Sequence, residues 1–254
     1  MTFVDLAERL TAARRDARLA KLTAADTIAS VEDAYRVQTE LAARANGDVR
    51  GWKVTALAPA DQKKYVSSRP VAGPLFGPYV HDAPTNISLA SLIAPLLECE
   101  IAFVLGEDLP AQNAPYNQNQ IEAAISAVVP VIELADSRVD ASTSDLIKLA
   151  DAMGNGLFIV GRPFADWRKL DLTNVTIALA HDGKPVEEGC SARILGNPLL
   201  AVIALANAQP LAHFGLKAGQ IVTTGTCTTP VEVRPGRYAA HFGALGDVEM
   251  TVVA

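Results

Sequence analysis

The sequence is poor in several residue types that would direct it to a specialised class of protein. Only 3 of its 254 residues are cysteine, and only 6% are aromatic. The cysteines Cys99, Cys190 and Cys227 are scattered and odd in number, which excludes a disulfide framework and predicts reduced thiols in a cytoplasmic protein. The hydrophobic share is 50%, yet no apolar run approaches the roughly 20 residues of a membrane-spanning helix.

Positive charge is also scarce. Lysine and arginine number 22 against 28 acidic residues, which gives a net charge of −6. No basic block is interleaved with aromatics, so a nucleic-acid partner is not expected. The start, Met1 to Leu6, lacks a basic segment followed by an apolar one, so no signal peptide is expected. High hydrophobicity without a membrane span predicts burial between subunits, and hence a homo-oligomer.

Histidine is rare as well. The four histidines, His81, His181, His213 and His241, are widely separated. No two of them have the spacing of a metal-binding pair, so each is expected to be structural or at the surface.

Apolar periodicity predicts a helical N-terminal lobe over residues 1–47 and a β-rich domain over residues 48–254. Residues 3–20 have apolar side chains at helical spacing. A second helix is expected to follow an N-cap at Ser30, with Asp33 three residues later.

The β-rich domain begins with a short strand at 49–54, a polar segment at 56–72 and a loop rich in glycine and proline through Pro84. Asp182-Gly183-Lys184 predicts a hairpin turn. Further strands are predicted at 97–105, 128–134, 156–161, 174–181, 220–224 and 246–253, with helices at 117–127, 143–150 and 196–207. Many short strands with few helices indicate an α+β fold around a mixed, largely antiparallel sheet.

Two glutamates interrupt the apolar run from Leu96 to Gly106. Because side chains alternate along a strand, Glu98 and Glu100 share one face, opposite Leu97 and Cys99. Two adjacent carboxylates on an apolar strand repel each other and lose hydration, so they call for positive charge nearby. This pair alone is equally compatible with a site for a divalent cation such as Mg²⁺ and with an exposed strand face on which both carboxylates are solvated.

A third carboxylate stands at the end of another apolar strand, at Glu133. A charge meeting solvent at a strand end is common, but three carboxylates from two strands are the ligand set of an open Mg²⁺ or Mn²⁺ site. Asp136 and Arg138 follow, and they form either an ion pair that braces Glu133 or an ordinary surface pair.

The stretches Leu-Leu-Glu98-Cys-Glu100-Ile-Ala-Phe-Val-Leu-Gly and Val-Ile-Glu133-Leu-Ala-Asp-Ser-Arg resemble the metal motif of the fumarylacetoacetate hydrolase superfamily. Further segments resemble its 2-keto-4-pentenoate hydratase and 4-oxalocrotonate decarboxylase branch: Gly51-Trp52-Lys53-Val54, Gly73-Pro74-Leu75-Phe76, Leu195-Gly196-Asn197-Pro198-Leu199 and Thr223-Thr224-Gly225-Thr226-Cys227-Thr228. The resemblance covers nearly the whole chain.

The resemblance implies a β-roll core like the C-terminal part of fumarylacetoacetate hydrolase, with Mg²⁺ or Mn²⁺ held by Glu98, Glu100 and Glu133. It implies a lyase that hydrates 2-hydroxypenta-2,4-dienoate (2-keto-4-pentenoate) to 4-hydroxy-2-oxopentanoate in aromatic catabolism. A cation at the C2 oxygen would stabilise the enolate that such chemistry requires. The alternative is a decarboxylase of the 4-oxalocrotonate type, and a further alternative is a non-catalytic scaffold paralogue that associates with a pathway enzyme.

The resemblance also assigns Lys53 a catalytic role, as a group that binds the substrate carboxylate or moves a proton. It implies substrate binding by Leu75, Phe76 and Thr226. Asn155 joins this set, because the small polar segments Gly154-Asn155-Gly156 and Thr224-Gly225-Thr226 could offer backbone N–H groups to a carboxylate. An ordinary turn explains Gly154-Asn155-Gly156 equally well.

Two departures from the family pattern bear on the substrate. Many hydratases have an acid just after the Gly-x-Leu-Phe segment, where this chain has Gly77-Pro78-Tyr79. Members often have a serine where this chain reads Ala150-Asp151-Ala152-Met153-Gly154. The histidine–glutamate dyad of the hydrolytic branch has no counterpart before Glu98, which argues against acylpyruvate hydrolysis.

Overall fold

The computed structural model describes residues 2–55, 57–209 and 215–254, so Ala56 and His213 lie outside the described residues. Within these ranges, helices α1 to α6 are Phe3–Arg15, Val31–Arg44, Pro59–Gln62, Gln118–Ala124, Asp145–Ala150 and Leu199–Ala208. Strands β1 to β13 are Val49–Thr55, Val71–Phe76, Val80–Asp82, Thr85–Ser88, Leu96–Leu105, Ile125–Ala135, Leu157–Val160, Thr176–His181, Lys184–Cys190, Ile221–Thr226, Val231–Glu232, Gly236–His241 and Asp247–Val253.

The N-terminal helices pack into a core of their own. Ser30 accepts a hydrogen bond from the Asp33 N–H at 3.1 Å, which confirms the N-cap of α2. The first helix does not reach residue 20 as predicted, because Ala17 has a left-handed φ of 46° that a helix cannot contain. This core also takes in α5 and part of β2, so a lobe boundary at residue 47 stays a prediction. No helix among the described residues is long and apolar enough to cross a membrane.

Two sheets confirm the predicted α+β fold with a mixed, largely antiparallel core. The first has the order β2-β1-β10-β5-β6-β7-β3, with β11 beside β5, and the second has the order β4-β13-β12-β8-β9. Among the described strands, parallel pairing is confined to β1–β10, β3–β7 and β4–β13. The predicted hairpin turn at Asp182-Gly183 joins β8 to β9.

Two local predictions are wrong. The segment from Gly73 to Pro84 is not a long loop, because it contains the end of β2 and all of β3. Pro74 is compatible with β2 because this strand lies at the sheet edge, where a missing N–H interrupts no second ladder. The helix predicted at 117–127 ends at Ala124, because the following apolar residues extend β6 along β5.

The two faces of β5 have the separate environments that its alternation predicts. One face is fully buried in the main core through Leu97, Cys99, Ile101 and Phe103. On the other face, Ala102 belongs to a smaller core with side chains from β2, β6, β7 and β10. Glu98 and Glu100 lie on this second face by alternation.

The first sheet curls into a roll around the smaller core. Four strands separate β2 from β7 in the sheet order, yet Asn155, just before β7, donates from Nδ2 to the Pro74 carbonyl of β2 at 2.6 Å. Leu75 of β2 and Phe158 of β7 belong to the same small core. The implied β-roll is therefore present, and the glutamate face of β5 is its inner face.

A glycine allows the close approach of β1 to β10. Gly51 is the register partner of Ile221, and a Cβ built on Gly51 would lie 2.0 Å from the Ile221 carbonyl oxygen. Only glycine fits this contact without displacing the backbone. The same pairing places Lys53 opposite Thr223 on the neighbouring strand.

We expect Gly51→Ala to lower the free energy of unfolding by about 1–3 kcal/mol, the usual effect of overpacking a close contact. Because β1 also carries Lys53, the variant should lose catalytic activity at temperatures where it is still folded. Urea denaturation and steady-state kinetics measure the two effects. A wild-type free energy of unfolding together with wild-type activity would contradict this prediction, because β1 would then tolerate a Cβ at residue 51.

Candidate active site

Lys53, Glu98, Glu100 and Glu133 meet on the inner face of the roll. Glu98 and Glu133 are register partners across β5 and β6. Lys53 lies on β1, which is separated from β5 by β10 alone. Strand order and alternation thus bring together side chains that are up to 80 residues apart in the sequence.

Glu98, Glu100 and Glu133 form a compact group, called here the carboxylate cluster. One oxygen of each carboxylate lies within 4.8 Å of the others. Glu100 and Glu133 are fully buried, whereas the side chain of Glu98 is 17% exposed. The cluster is therefore closed on its inner side and reaches solvent at Glu98.

Each of the two buried carboxylates has one oxygen held by a protein donor and one oxygen left over. Lys53 Nζ donates to Glu133 Oε1 at 2.5 Å, and the Gly225 N–H donates to Glu100 Oε2 at 3.0 Å. Glu133 Oε2 and Glu100 Oε1 are buried, and neither has a well-formed hydrogen bond among the described residues; the nearby Thr223 hydroxyl compensates Glu100 only in part, by lowering its pKa. Buried carboxylate oxygens without a donor are unfavourable unless a cation takes them as ligands.

Burial and crowding shift the ionisation of these groups. Burial raises the pKa of Glu133 well above its ordinary value and also raises the pKa of Glu100, and the Lys53 ammonium opposes both shifts without cancelling them. Burial acts to lower the pKa of Lys53, but the charges of Glu133, Glu98 and Glu100 outweigh it and the pKa is raised. One ammonium faces three carboxylates, so the fully ionised group has an excess of negative charge that suits a divalent cation.

The turn at the end of β10 contributes a donor to the cluster. Gly225 has a φ of 102°, which glycine adopts freely, and its N–H points at Glu100 and not at open solvent. Thr226 is the register partner of Glu100, and its hydroxyl donates to the Thr228 carbonyl at 2.9 Å. Thr226 is half-buried next to the cluster, and its contact with a substrate stays a prediction.

Leu75 and Phe76 lie on opposite faces of β2. Leu75 belongs to the small core inside the roll, on the same side as the cluster. Phe76 belongs to the core of the N-terminal helices, and the Arg14 guanidinium lies 5.7 Å from its ring centroid. Both are buried, and their predicted role in substrate binding is not decided by this placement.

Asn155 closes the roll. Besides its bond to Pro74, its side-chain oxygen accepts from Arg14 Nη2 at 2.5 Å, and its carbonyl accepts from Arg138 Nη1 at 2.5 Å. Both ends of the side-chain amide are therefore engaged within the protein. Nothing in the local sequence indicates this role, and substrate contact by Asn155 stays a prediction.

Neither alternative considered for Asp136 and Arg138 is right. Arg138 Nε donates to Asp151 Oδ1 at 2.9 Å, and Arg138 is only 2% exposed. The Asp136 carboxylate accepts from the N–H groups of Ile93 and Ala94, at 3.1 and 2.8 Å. Asp136, just after β6, thus anchors the backbone that leads into β5. These hydrogen bonds stabilise the two strands that carry the cluster, and they do so without an ion pair between Asp136 and Arg138.

Tyr65 is a further residue whose ionisation responds to Lys53. Burial raises its pKa, Asp145 raises it further, and the charge of Lys53 opposes the shift, so Lys53 is within electrostatic reach. The polar segment at 56–72 contains α3 and a 3-10 turn at Lys63–Tyr65. Nothing in its sequence pattern marks Tyr65.

A groove of about 520 Å³ opens beside the cluster, and we call it the Leu96 groove. Leu96 and Ala135 are register partners two residues beyond Glu98 and Glu133 on the same face. The groove is lined by Leu19, Ile93, Ala94, Leu96, Ala135, Asp136, Ser137, Val139, Asp140, Ala141, Lys148, Met153 and Gly154.

The described histidines do not belong to the carboxylate cluster. His181 stacks on Tyr238 with ring centroids 4.4 Å apart, and His241 Nδ1 lies 2.5 Å from Asp247 Oδ1 at the surface. His81 lies on β3, at the far end of the sheet order. The metal-type cluster found among the described residues consists of carboxylates alone.

Comparison with known proteins supports this picture. The family model described as the C-terminal part of fumarylacetoacetate hydrolase matches residues 80–253. A 2-keto-4-pentenoate hydratase of Burkholderia vietnamiensis is 36% identical over 82% of this chain and 80% of its own. A 4-oxalocrotonate decarboxylase of a Pseudomonas species is 32% identical over 80% of this chain and 78% of its own.

The fold matches a solved relative over almost its whole length. The 4-oxalocrotonate decarboxylase of Pseudomonas putida, solved with magnesium and adipate, superposes with a TM-score of 0.87 at 27% identity. The match covers 99% of this chain and 97% of that one.

Proposed function

The chain belongs to the fumarylacetoacetate hydrolase family, and we propose that it is a divalent-metal-dependent hydratase acting on 2-hydroxypenta-2,4-dienoate. The observation that carries the proposal is the pair of buried carboxylates, Glu100 and Glu133, each with one buried oxygen that has no well-formed hydrogen bond among the described residues. Relatives named 2-keto-4-pentenoate hydratase, at 32–36% identity over most of the chain, support the choice of reaction.

Glu98, Glu100 and Glu133 would hold the ion, for which Mg²⁺ and Mn²⁺ are the candidates because both prefer oxygen ligands. When bound, the ion supplies positive charge to the C1 carboxylate and C2 oxygen of a 2-oxo acid, which favours its enolate form. The exposed side at Glu98 gives the substrate access to the cluster.

Lys53 brings proton-transfer capacity to this site. Hydration first moves a proton: the C2 hydroxyl loses one and C5 gains one, which converts the dienol to an α,β-unsaturated ketone. One water then adds across C3 and C4, with its hydroxyl at C4 and a proton at C3. Lys53 Nζ lies 2.5 Å from Glu133 and 3.9 Å from Glu98, and we expect it to donate to the substrate carboxylate or to relay such a proton. The buried strands around it exclude bulk water from the inner side of the cluster.

Decarboxylation of 4-oxalocrotonate is the second candidate. Relatives with that name reach 32–35% identity, and loss of CO₂ from the longer diacid needs the same stabilised enolate. A scaffold function is disfavoured, since Lys53 and all three carboxylates are present and assembled. We further propose a cytoplasmic homo-oligomer, which the three free cysteines and the hydrophobic composition support.

The test is an assay of metal-stripped protein with Mg²⁺ or Mn²⁺ restored, using 2-hydroxypenta-2,4-dienoate and 4-oxalocrotonate as separate substrates. Mass spectrometry identifies 4-hydroxy-2-oxopentanoate from the first substrate or loss of CO₂ from the second. We expect metal-dependent hydration to be the faster reaction. Faster CO₂ loss would select the decarboxylase, and no turnover of either substrate with metal present would refute the proposal.

A further inference from the structure

We propose that a pocket between α1, α2 and the end of β2, called here the Arg14 pocket, binds a small carboxylate with an apolar body, at a site separate from the carboxylate cluster. The pocket has a volume of about 120 Å³. It is lined by Thr11, Arg14, Leu41, Arg44, Ala45, Phe76, Pro78 and Tyr79. No member of the carboxylate cluster lines it, so the inference does not depend on the proposed function.

Arg14 brings to this pocket a positive charge that no carboxylate of the described residues contacts. Its two Nη atoms donate to oxygens of Asn155 and to the carbonyl of Gly156, at 2.5–3.4 Å. The Asp151 carboxylate is within electrostatic reach, but it is paired with Arg138. Arg14 Nε donates to no described residue and is not buried. A charged donor is therefore available to a ligand.

The surroundings of Arg14 compensate its charge incompletely. Burial and the nearby Arg138 guanidinium lower the pKa of Arg14 to about 9, and Asp151, Tyr79 and Asp136 oppose this shift only in part. An anion beside the guanidinium would stabilise its charged form. The pocket geometry and the pKa shift thus favour the same class of ligand.

Aromatic rings hold the guanidinium in place. Its central carbon lies 4.6 Å from the centroid of the Tyr79 ring and 5.7 Å from that of the Phe76 ring. Such stacking fixes the orientation of an arginine, so less entropy is lost when it binds an anion. The Tyr79 hydroxyl makes no hydrogen bond to a described residue and is not buried, which makes it a second donor for a carboxylate.

The other walls combine a second cation with apolar surface. Arg44 pairs with Glu40 at 3.0 Å, but Glu40 is not a lining residue. Leu41, Phe76 and Pro78 supply apolar contacts, and no acidic side chain of the described chain lines the pocket. A carboxylate would meet two guanidinium groups and no like charge, while an alkyl group attached to it would cover the apolar wall.

The volume limits the size of the ligand. An enclosed cavity of about 150 Å³ is enough to bind benzene. The Arg14 pocket is slightly smaller and reaches solvent at the exposed Pro78. It therefore has room for a short branched alkyl chain, with the carboxylate at Arg14. Since Arg14 also bonds to Asn155, which closes the roll through Pro74, a ligand here would reinforce that closure.

The experiment compares 3-methylbutanoate with its neutral amide, 3-methylbutanamide, which has nearly the same shape, and with inorganic phosphate. Calorimetry measures the Kd of each for the Mg²⁺-loaded protein and for the metal-stripped protein. We expect 3-methylbutanoate to bind with the same Kd in both forms. The amide should bind at least about tenfold more weakly, because it cannot form a charge-assisted pair with arginine. Phosphate should also bind more weakly, because it leaves the apolar wall uncovered.

Arg14→Gln should weaken the Kd of 3-methylbutanoate by at least about tenfold, the effect of one lost charged hydrogen bond. Arg168→Gln is the matched control. Arg168 also lies over an aromatic ring, that of Trp167 at 4.5 Å, and also donates to backbone carbonyls, but it is outside the pocket. It should leave the Kd unchanged.

Arg44→Gln provides a second test that leaves every bond of Arg14 in place. It should weaken the Kd by about threefold, a smaller effect because this guanidinium is shared with Glu40. Arg36→Gln is its matched control, since Arg36 lies on the same helix and pairs with Asp33 at 3.2 Å outside the pocket. If Arg14→Gln does not fold, a wild-type Kd in Arg44→Gln overturns the inference.

Four further results would overturn it. The first is the absence of 3-methylbutanoate binding, and the second is an equal Kd for the amide or for phosphate. The third is an equal Kd in folded Arg14→Gln and Arg168→Gln. The fourth is binding that requires Mg²⁺, because the ligand would then occupy the carboxylate cluster. Each of these results leaves the proposed function standing, and loss of the proposed function leaves the Arg14 pocket untouched.

Discussion

Glu100→Gln is expected to lower the affinity for Mg²⁺ by at least about 10²-fold. Loss of an outer-shell partner of a metal ligand already weakens binding by roughly 10–100-fold, and Glu100 is proposed as a direct ligand. The glutamine oxygen can still accept from the Gly225 N–H, so the local backbone should stay in place. Isothermal titration calorimetry on the metal-stripped protein measures the change.

The same substitution should raise the Tm of the metal-free protein. Glu100 is fully buried, and burial together with the neighbouring Glu98 makes its charged form unfavourable, so removing that charge removes a penalty. Wild-type protein should gain about 2.7 kcal/mol of stability at a Mg²⁺ concentration of 100 Kd, and the variant should lose this gain at the same concentration. A lower Mg²⁺ affinity with a higher metal-free Tm is a pattern that general misfolding cannot produce.

Glu107→Gln is the matched control, because Glu107 is exposed just after the same strand. It should leave the Mg²⁺ affinity and the Tm at wild-type values. Glu133→Gln should also lose Mg²⁺ affinity, and it also removes the closest partner of Lys53. Unchanged Mg²⁺ binding in both cluster variants would remove the basis of the proposed function.

The parts of the fold that alternation and capping control could be predicted from the sequence. The two faces of β5 follow from a period of two, and the start of α2 follows from a side chain that bonds three residues ahead. These signals are local, so a single chain is enough to expose them. The assembly of Glu98, Glu100 and Glu133 was also anticipated, since two glutamates share one strand, the third ends another apolar strand, and the family resemblance groups all three.

The rest depends on contacts between distant segments. Pro74 argues against a strand until the sheet order shows β2 at an edge. Arg138 pairs with Asp151 and not with Asp136, although Asp136 is closer in the sequence. The chain turns back at α5 and thereby places Asp151 beside Arg138. Asn155 and Tyr65 acquire their positions from the closing of the roll and from the turn after α3, and neither has a local pattern that would show this.

The structure predicts a larger loss of thermal stability on removal of Lys53 than the sequence does. From the sequence alone, loss of an active-site lysine is expected to leave the thermal stability almost unchanged. In the structure, Lys53 is 8% exposed and is the cation that contacts Glu133 and Glu98. Removing it leaves three carboxylates crowded together without compensation, and breaking a buried pair costs about 3–5 kcal/mol.

We therefore expect Mg²⁺ to restore most of the stability of Lys53→Met but not its catalytic activity. Methionine keeps much of the length and apolar character of the stem but removes the charge and the donors. The metal-free variant should have a lower Tm than wild type, and Mg²⁺ should restore most of the difference, because a divalent cation compensates the same carboxylates. The Mg²⁺ affinity should be maintained or rise, since the ammonium no longer competes for Glu133.

In the Mg²⁺-loaded variant, kcat for 2-hydroxypenta-2,4-dienoate should fall by roughly 10²–10⁴, the range for a positioned acid or base. Lys169→Met is the matched control: Lys169 also pairs with a carboxylate, Asp166 at 2.8 Å, but both side chains are exposed. It should have wild-type kcat and Tm. Turnover by Lys53→Met at the wild-type rate would show that the ammonium takes no part in the chemical step. A variant that stays unfolded even with saturating Mg²⁺ would show instead that Lys53 is a structural residue, because the proposed metal would then be unable to replace its charge.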